Sequence, residues 1–422
     1  VSVLLVAFVA VTKGPVYRLR VELAELSGDF IDDRWVQATF AVVYVALAAA
    51  CWPAARRLWG DRPLVLTQAA FVGLLALSTV WSFASRRTAE QVGLLALGTA
   101  AFLLAGARIA PLRLLGALWG AMQVGVVTSA VAATQEWRFA IDKNGDWAGI
   151  YFNRNSLGPV AALGVLTSVA LARWWSELPE DRPRRRWVGV VVTAAVAVDL
   201  WVWWRSGSLT PAFSVLLGLL AAALVSLAAT PGAHRRVRSR IAAVLAVSTG
   251  VVAVLAVAAR AWFTDLLGRS TTFSGRTDIW DVVWSAVERR PVAGWGFMAV
   301  WFEPELRAGL AAVRRDVYEA HSGYLEVLVG AGVLGVVALA AVLGVVLARV
   351  ADRARWRADA AGLWFVAATT FVLAANLGET YIGANLLPWM LLTAISVQAS
   401  RRVWTTWVST ETPSGPLPTP SP

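Results

Sequence analysis

Arginine-bearing segments cut this chain into apolar runs of about 20 residues, and no other feature restricts its fold so severely. The runs fall at 36–52, 64–84, 89–108, 111–134, 156–175, 187–204, 208–229, 240–260, 323–348, 360–377 and 381–399. In hydrocarbon a run of that length satisfies its backbone polar groups only as a helix, so the pattern predicts an all-α polytopic integral membrane protein. A further apolar run, 1–11, is too short to cross ~30 Å of hydrocarbon at about 1.5 Å rise per residue. No methionine opens it, which points to a clipped or late start, and no small-residue cleavage site follows as a signal peptide would need. Counting it gives about twelve transmembrane helices.

Composition agrees. The chain is 58% hydrophobic and 15% charged, whereas soluble domains are about 25% charged. One cysteine, Cys51, excludes a disulfide framework, and two histidines, His234 and His321, exclude a histidine-rich zinc site. The net charge of +11 is dispersed through short loops, so it reads as membrane topology and not as a nucleic-acid face. Loops with Arg56, Arg57 and Arg62, with Arg108 and Arg113, with Arg182 and Arg184 to Arg186, with Arg235 to Arg240 and with Arg349 to Arg357 alternate with acidic or balanced ones. Short basic loops stay in the cytoplasm, which puts both termini inside.

The outer face then receives the acid-rich 12–35, 135–155, the turn at Arg205, the long segment 261–322 and the turn Gly378 to Thr380. Only 261–322 is large enough for structure of its own, as a large external loop with short amphipathic helices. Within it Ser274 reads as a helix cap, and Ile279, Trp280, Val283 and Val287 recur at helical spacing until Pro291. That helix is expected on the membrane surface, with Arg276 in its first turn. Residues 1–410 form one membrane domain, and the Pro- and Ser-rich tail 411–422 is expected to be disordered.

A few polar residues at span boundaries carry chemistry. His321 opens the string His321-Ser-Gly-Tyr-Leu-Glu-Val-Leu-Val-Gly-Ala-Gly332, where the polar segment re-enters an apolar run. An imidazole there suggests proton transfer; a boundary histidine satisfied by its neighbours is the plainer reading. Arg205 ends a span in Trp203-Trp204-Arg205-Ser-Gly-Ser-Leu209 and faces either a polar partner or the interface beside an aromatic belt. Arg276 lies at a helix N-terminus, where the dipole disfavours a cation, which strengthens the case for an anionic ligand. Arg154 and Asn155 are candidates for a substrate entrance. Tyr324 and Glu326, one turn past His321, either orient it or serve structure. Asp199, inside a span, reads as a partner for another helix, His234 as a solvated loop residue, and Trp174, Trp175, Trp203 and Trp204 as interfacial anchors.

Taken together, these residues resemble the O-antigen ligase and O-antigen polymerase superfamily of bacterial membrane glycosyltransferases. Its Arg-x3-Leu pattern is met by Arg205 to Leu209, its Gly-Arg-x-x-x-Trp element by Gly275, Arg276 and Trp280, and its His-x10-Gly pattern by His321 to Gly332. The polar string Tyr151-Phe-Asn153-Arg-Asn155 matches the segment that opens a middle span. Each motif is short; their order, spacing and common side of the membrane make the combination specific. Family members often carry Asn after the histidine, and this chain has Ser322.

The resemblance implies transfer of a glycan from an undecaprenyl-diphosphate carrier to a hydroxyl of a lipid or cell-wall glycan acceptor. The reaction would run on the external face of the bacterial plasma membrane, without metal or cofactor. His321 would be the general base, and Arg205 and Arg276 would grip the diphosphate, as planar guanidinium groups do. The expected partners are that donor, that acceptor and membrane lipids, with no nucleic acid. Ligase and polymerase both remain open, the compact 261–322 loop leaning toward ligase. The alternative is a polysaccharide or small-anion transporter built on the two arginines, although the paired repeats usual in transporters are not evident.

Overall fold

The computed structural model describes residues 2–12, 14–16, 33–142, 145–177, 182–229, 276–313 and 317–400. Helix starts follow local chemistry. After α1 (Ser2–Ala10), Asp33 accepts the N–H groups of Trp35 and Val36 at 2.9 and 3.1 Å and so opens α2 (Arg34–Cys51). A short turn at Trp52–Ala54 leads into α3 (Ala55–Trp59). Pro63 and Pro111 sit in the first turns of α4 (Arg62–Leu77) and α6 (Pro111–Thr134), where a missing N–H costs nothing. Between them runs α5 (Ser85–Arg108), and after them α7 (Arg154–Glu177), α8 (Arg182–Ser206) and α9 (Thr210–Ala228). The later part holds α10 (Arg276–Arg289), α11 (Pro304–Ala312), α12 (Gly323–Trp356), α13 (Ala360–Ala375) and α14 (Leu387–Gln398). Among the described residues the one β-type pairing is an isolated bridge between Ile141 and Trp147.

Eight helical segments, 34–59, 62–80, 85–108, 111–134, 154–177, 186–206, 210–228 and 323–356, are long and apolar enough to cross a membrane. Of about twelve expected spans, eight are thus met among the described residues. Helices α13 and α14 are apolar but shorter, α1 has nine residues, and the expected span 240–260 lies outside the described residues. So do Ser274, Gly275, His234 and the tail. The last two runs shrink for a local reason: Asn376 Oδ1 accepts the N–H groups of Tyr381 and Ile382 at 3.0 and 2.7 Å, which holds the chain there in a turn instead of a helix.

The core gathers around α5, α6, α7, α13 and α14, and every residue of α14 is buried. By contrast α2, α4, α8, α9 and α12 present Val42, Leu66, Val190, Leu216 and Val337 to the outside, as helices with one face on protein and another on lipid do. Asp199 is fully buried and held by Gln123 Nε2 of α6 at 2.9 and 3.1 Å, a pairing between helices. Gly164 makes room for it, since a Cβ there would lie 2.6 Å from the carboxylate.

The amphipathic helix appears as α10 and stops before Pro291, but its apolar face is not left for a membrane surface. Ile279, Val283, Ala286 and Val287 close a small core with Trp295, Val300, Trp301, Leu306, Leu310 and Val329. The chain just after α10 supplies that cover and then docks on α12, which is broken at Gly332 (φ 64°, ψ −162°). Through the break, Trp295 and Gly296 donate to the carbonyls of Val329 and Gly330 at 3.0 and 2.9 Å. In return Val333 and Leu334 donate to the carbonyls of Pro291 and Val292 at 2.8 and 3.2 Å. The last residue of the His-x10-Gly motif therefore seats the chain after α10 on α12.

Candidate functional site

Four stretches meet at one end of the bundle: the end of α1, the start of α7, the residues before α12 and the connection between α13 and α14. They enclose a cleft with about 570 Å³ of empty space, part of it open to the exterior. Its lining combines polar residues, Thr12, Asn155, Glu319, His321, Glu379 and Thr380, with apolar ones, Val160, Leu163, Leu386 and Pro388.

The position of His321 is fixed from both sides of the preceding residue. Trp280 of α10 donates its indole N–H to the Ala320 carbonyl at 2.9 Å. Glu326, buried in the first turn of α12, accepts the Ala320 N–H at 2.9 Å and the Trp301 indole at 2.7 Å. His321 itself takes a left-handed backbone (φ 49°), which non-glycine residues adopt rarely and mostly where surrounding contacts impose it. Ser322 then caps α12, accepting from Leu325 N–H at 3.5 Å, so the residue that replaces the family's common Asn serves the helix start. Gly323 presses on the next connection: its N–H donates to the carbonyls of Asn376 and Glu379, each at 3.0 Å. A Cβ at Gly323 would meet Asn376 Oδ1 at 2.2 Å, so only glycine permits this approach.

That approach brings Glu379 to the histidine. Arg276, the buried first residue of α10, donates Nη2 to Glu379 Oε1 at 2.5 Å and Nη1 to Thr210 Oγ1 at 3.3 Å. The other carboxylate oxygen of Glu379 lies 3.8 Å from His321 Nδ1, and Glu319 Oε1 lies 3.6 Å from the same nitrogen. Nδ1 is buried and makes no hydrogen bond. Arg276 and His321, distant in sequence, thus face opposite sides of one carboxylate.

The remaining candidates separate. Asn155 lines the cleft, and Pro159, one turn on, lacks the N–H that would otherwise bind the Asn155 carbonyl. Arg154 instead forms an ion pair with Asp146. Tyr324 donates to the Leu373 carbonyl at 3.0 Å, and Glu326 is occupied as described, so both contact structure and not the cleft. Arg205 is exposed at the end of α8, its guanidinium 4.9 Å from the Trp147 ring centre, while its carbonyl accepts the Trp147 N–H at 3.0 Å. The structure thus places His321 and Asn155 in the cleft lining, brings Arg276 to the lining residue Glu379, and holds Arg205 and Arg154 against residues 147 and 146.

Glu379 and Glu319 were not singled out by the sequence reasoning. A signal existed for Glu379: it is the lone acid in a short turn between two apolar runs, on the face expected to be external. Among the described residues, Glu319, His321 and Glu379 also form a set whose donor atoms lie within 4.8 Å of one another, close enough to hold a metal ion. Arg276 already brings a positive charge to Glu379.

No curated protein matches this chain. The O-antigen ligase family model matches residues 209–340. The match starts at Leu209, four residues after Arg205, takes in Thr210, Arg276, Trp280, His321 and Gly332, and ends before Glu379. Residues 209–340 are therefore similar to an O-antigen ligase domain, within a chain that carries several helices long and apolar enough to cross a membrane.

Proposed function

We propose that the protein transfers a glycan from an undecaprenyl-diphosphate carrier to an acceptor hydroxyl on the external face of the membrane. The observation that carries this reading is the meeting of Arg276 and His321 across Glu379, which with His321 lines a cleft of both polar and apolar side chains. A lipid-borne diphosphate needs both surfaces. All four stretches around the cleft lie where the arginine pattern puts the outside, which supports an external site with both termini cytoplasmic. Residues 1–410 act as one membrane domain in this reading, followed by the tail.

In the reaction the acceptor oxygen attacks the anomeric carbon while the carbon–oxygen bond to the diphosphate breaks. His321 takes the acceptor proton, and undecaprenyl diphosphate leaves with the electron pair. Direct displacement inverts the anomeric centre. Arg276 stabilises the charge growing on the leaving diphosphate, and Arg205, exposed one helix end away, is the second diphosphate contact. Arg276 supplies the positive charge that a metal would otherwise bring, so the transfer runs without one.

The test is transfer in proteoliposomes with an undecaprenyl-diphosphate glycan as donor. His321→Ala is expected to lower kcat by about 10²–10⁴-fold, the usual worth of a general base. Arg276→Lys keeps a charge beside Glu379 but loses the planar fork, and is expected to raise the donor KM and lower kcat. Transfer undiminished in His321→Ala would sink the base assignment. Movement of intact carrier between leaflets without its consumption would make the protein a transporter. Supplying either a carrier-linked repeat or a carrier-free envelope glycan as acceptor separates polymerase from ligase.

A further inference from the structure

Glu379 is held in an unusual way. One carboxylate oxygen accepts from the Arg276 guanidinium at 2.5 Å, and the other faces Nδ1 of His321 at 3.8 Å. Its side chain is 8% exposed, and the carbonyl of the same residue is tied to Gly323 N–H at 3.0 Å, so neither end is free to drift. The imidazole has the freedom that the carboxylate lacks, because Nδ1 makes no hydrogen bond. The 3.8 Å separation exceeds a hydrogen-bond length of about 3.2 Å by only a fraction of an ångström.

We infer that Glu379 is the positioning residue for His321: it accepts Nδ1–H, fixes that tautomer and leaves the Nε2 lone pair to receive the acceptor proton. The inference rests on the glycosyl-transfer reading, in which His321 is the base. Free imidazole favours the opposite tautomer in water, so the choice needs an acceptor on the Nδ1 side, and a carboxylate is the usual one. Glu319 is slightly nearer, at 3.6 Å, but its side chain is 21% exposed. Glu379 is better shielded from water and anchored by a buried cation. The same carboxylate also neutralises Arg276 until a diphosphate competes for the guanidinium, so donor binding and the orientation of the base act through one group. The other charged or titratable groups around the imidazole are Glu326, buried in α12, and Tyr381, which lines the cleft.

Glu379→Gln separates this role from mere support. Arginine has no acceptor, so the amide oxygen must stay on Arg276 and the NH₂ must turn toward His321. Nδ1 then has to accept, and the proton moves to Nε2, where it blocks base catalysis in a nearly isosteric site. The experiment is ¹⁵N NMR of histidine-labelled protein in nanodiscs, in a His234→Gln background that leaves a single imidazole. The parent is expected to show a protonated Nδ1 and an unprotonated Nε2, and Glu379→Gln the reverse. In the transfer assay kcat should fall at least about 100-fold while donor KM does not rise, because the neutral amide competes less for Arg276. An identical tautomer in both proteins, or a reversal produced by Glu319→Gln instead, overturns the inference. Loss of the base reading itself would show separately, as transfer retained in His321→Ala.

Discussion

Replacing Gly332 by alanine tests whether the break in α12 is what seats residues 291–296. At φ 64° and ψ −162° the backbone occupies a region essentially reserved for glycine, and a side chain there is strained by about 1–3 kcal/mol. The added Cβ would also stand 2.2 Å from the Val292 carbonyl oxygen and 2.6 Å from the Ala293 nitrogen. Backbone atoms cannot swing aside, so residues 291–296 must lift. The bonds from Val333 and Leu334 to Pro291 and Val292 are lost first, each worth about 0.5–1.5 kcal/mol. Strain and two lost bonds together come to roughly 4 kcal/mol. Hydrogen exchange read by mass spectrometry on the peptide spanning 291–297 reports it directly, with exchange roughly a thousandfold faster if the opening free energy falls by that amount. Gly344→Ala in the same helix is the control, because nothing lies within 4 Å of a Cβ there, and it should exchange like the parent. Unchanged exchange at 291–297 in Gly332→Ala would refute the assignment of this glycine as a docking break.

Trp280→Phe removes the bond to the Ala320 carbonyl; we expect a stability loss of about 0.5–1.5 kcal/mol and a larger proportional drop in kcat, read by thermal unfolding beside the transfer assay. Glu326→Ala leaves the Ala320 N–H and the Trp301 indole without their acceptor, at about 1–3 kcal/mol each, so the variant should lose stability together with activity, whereas Tyr324→Phe should change both little. Burial raises the Tyr151 phenol above its ordinary value, against a smaller opposing effect of a hydrogen bond with Thr12. The unfolded chain therefore ionises first, and stability present below about pH 10 declines as pH rises beyond it. Tyrosinate absorbance of the folded protein minus that of Tyr151→Phe should show no Tyr151 ionisation near pH 10. Transfer should persist in excess EDTA; a loss restored by Mg²⁺ or Mn²⁺ would instead assign a metal to Glu319, His321 and Glu379.

Apolar length was enough to place the long helices, and Pro111 and Asp33 set two of their starts closely. It failed at the last two runs because hydropathy does not register that the Asn376 side chain captures the amides of Tyr381 and Ile382. The helical period of α10 was readable, but its cover was not, since Trp295, Trp301 and Leu306 return to it only after a turn. His321 and Arg276 stood out as rare or oddly placed charges. Glu379 did not, because its pairing with Arg276 joins residues 103 apart and exists only once α12 and the α13–α14 connection touch. Arg205 shows the converse: a motif fixes residue type and spacing, whereas the contact it makes, here with Trp147, depends on how a loop folds back.

The brevity of α14 has a consequence for how a lipid-anchored molecule could be handled. Twelve residues rise only about 18 Å, against ~30 Å for the hydrocarbon layer. Packed along the longer α5, where Trp389 donates to Thr99 at 3.1 Å, it leaves the rest of its column to irregular chain. That irregular connection, with Glu379, Thr380 and Tyr381, is what lines the cleft on that side. If the donor is the polyprenyl diphosphate proposed above, its tail can stay among the acyl chains while the headgroup reaches the cleft from the side, so the molecule need not be lifted out of the leaflet to be used.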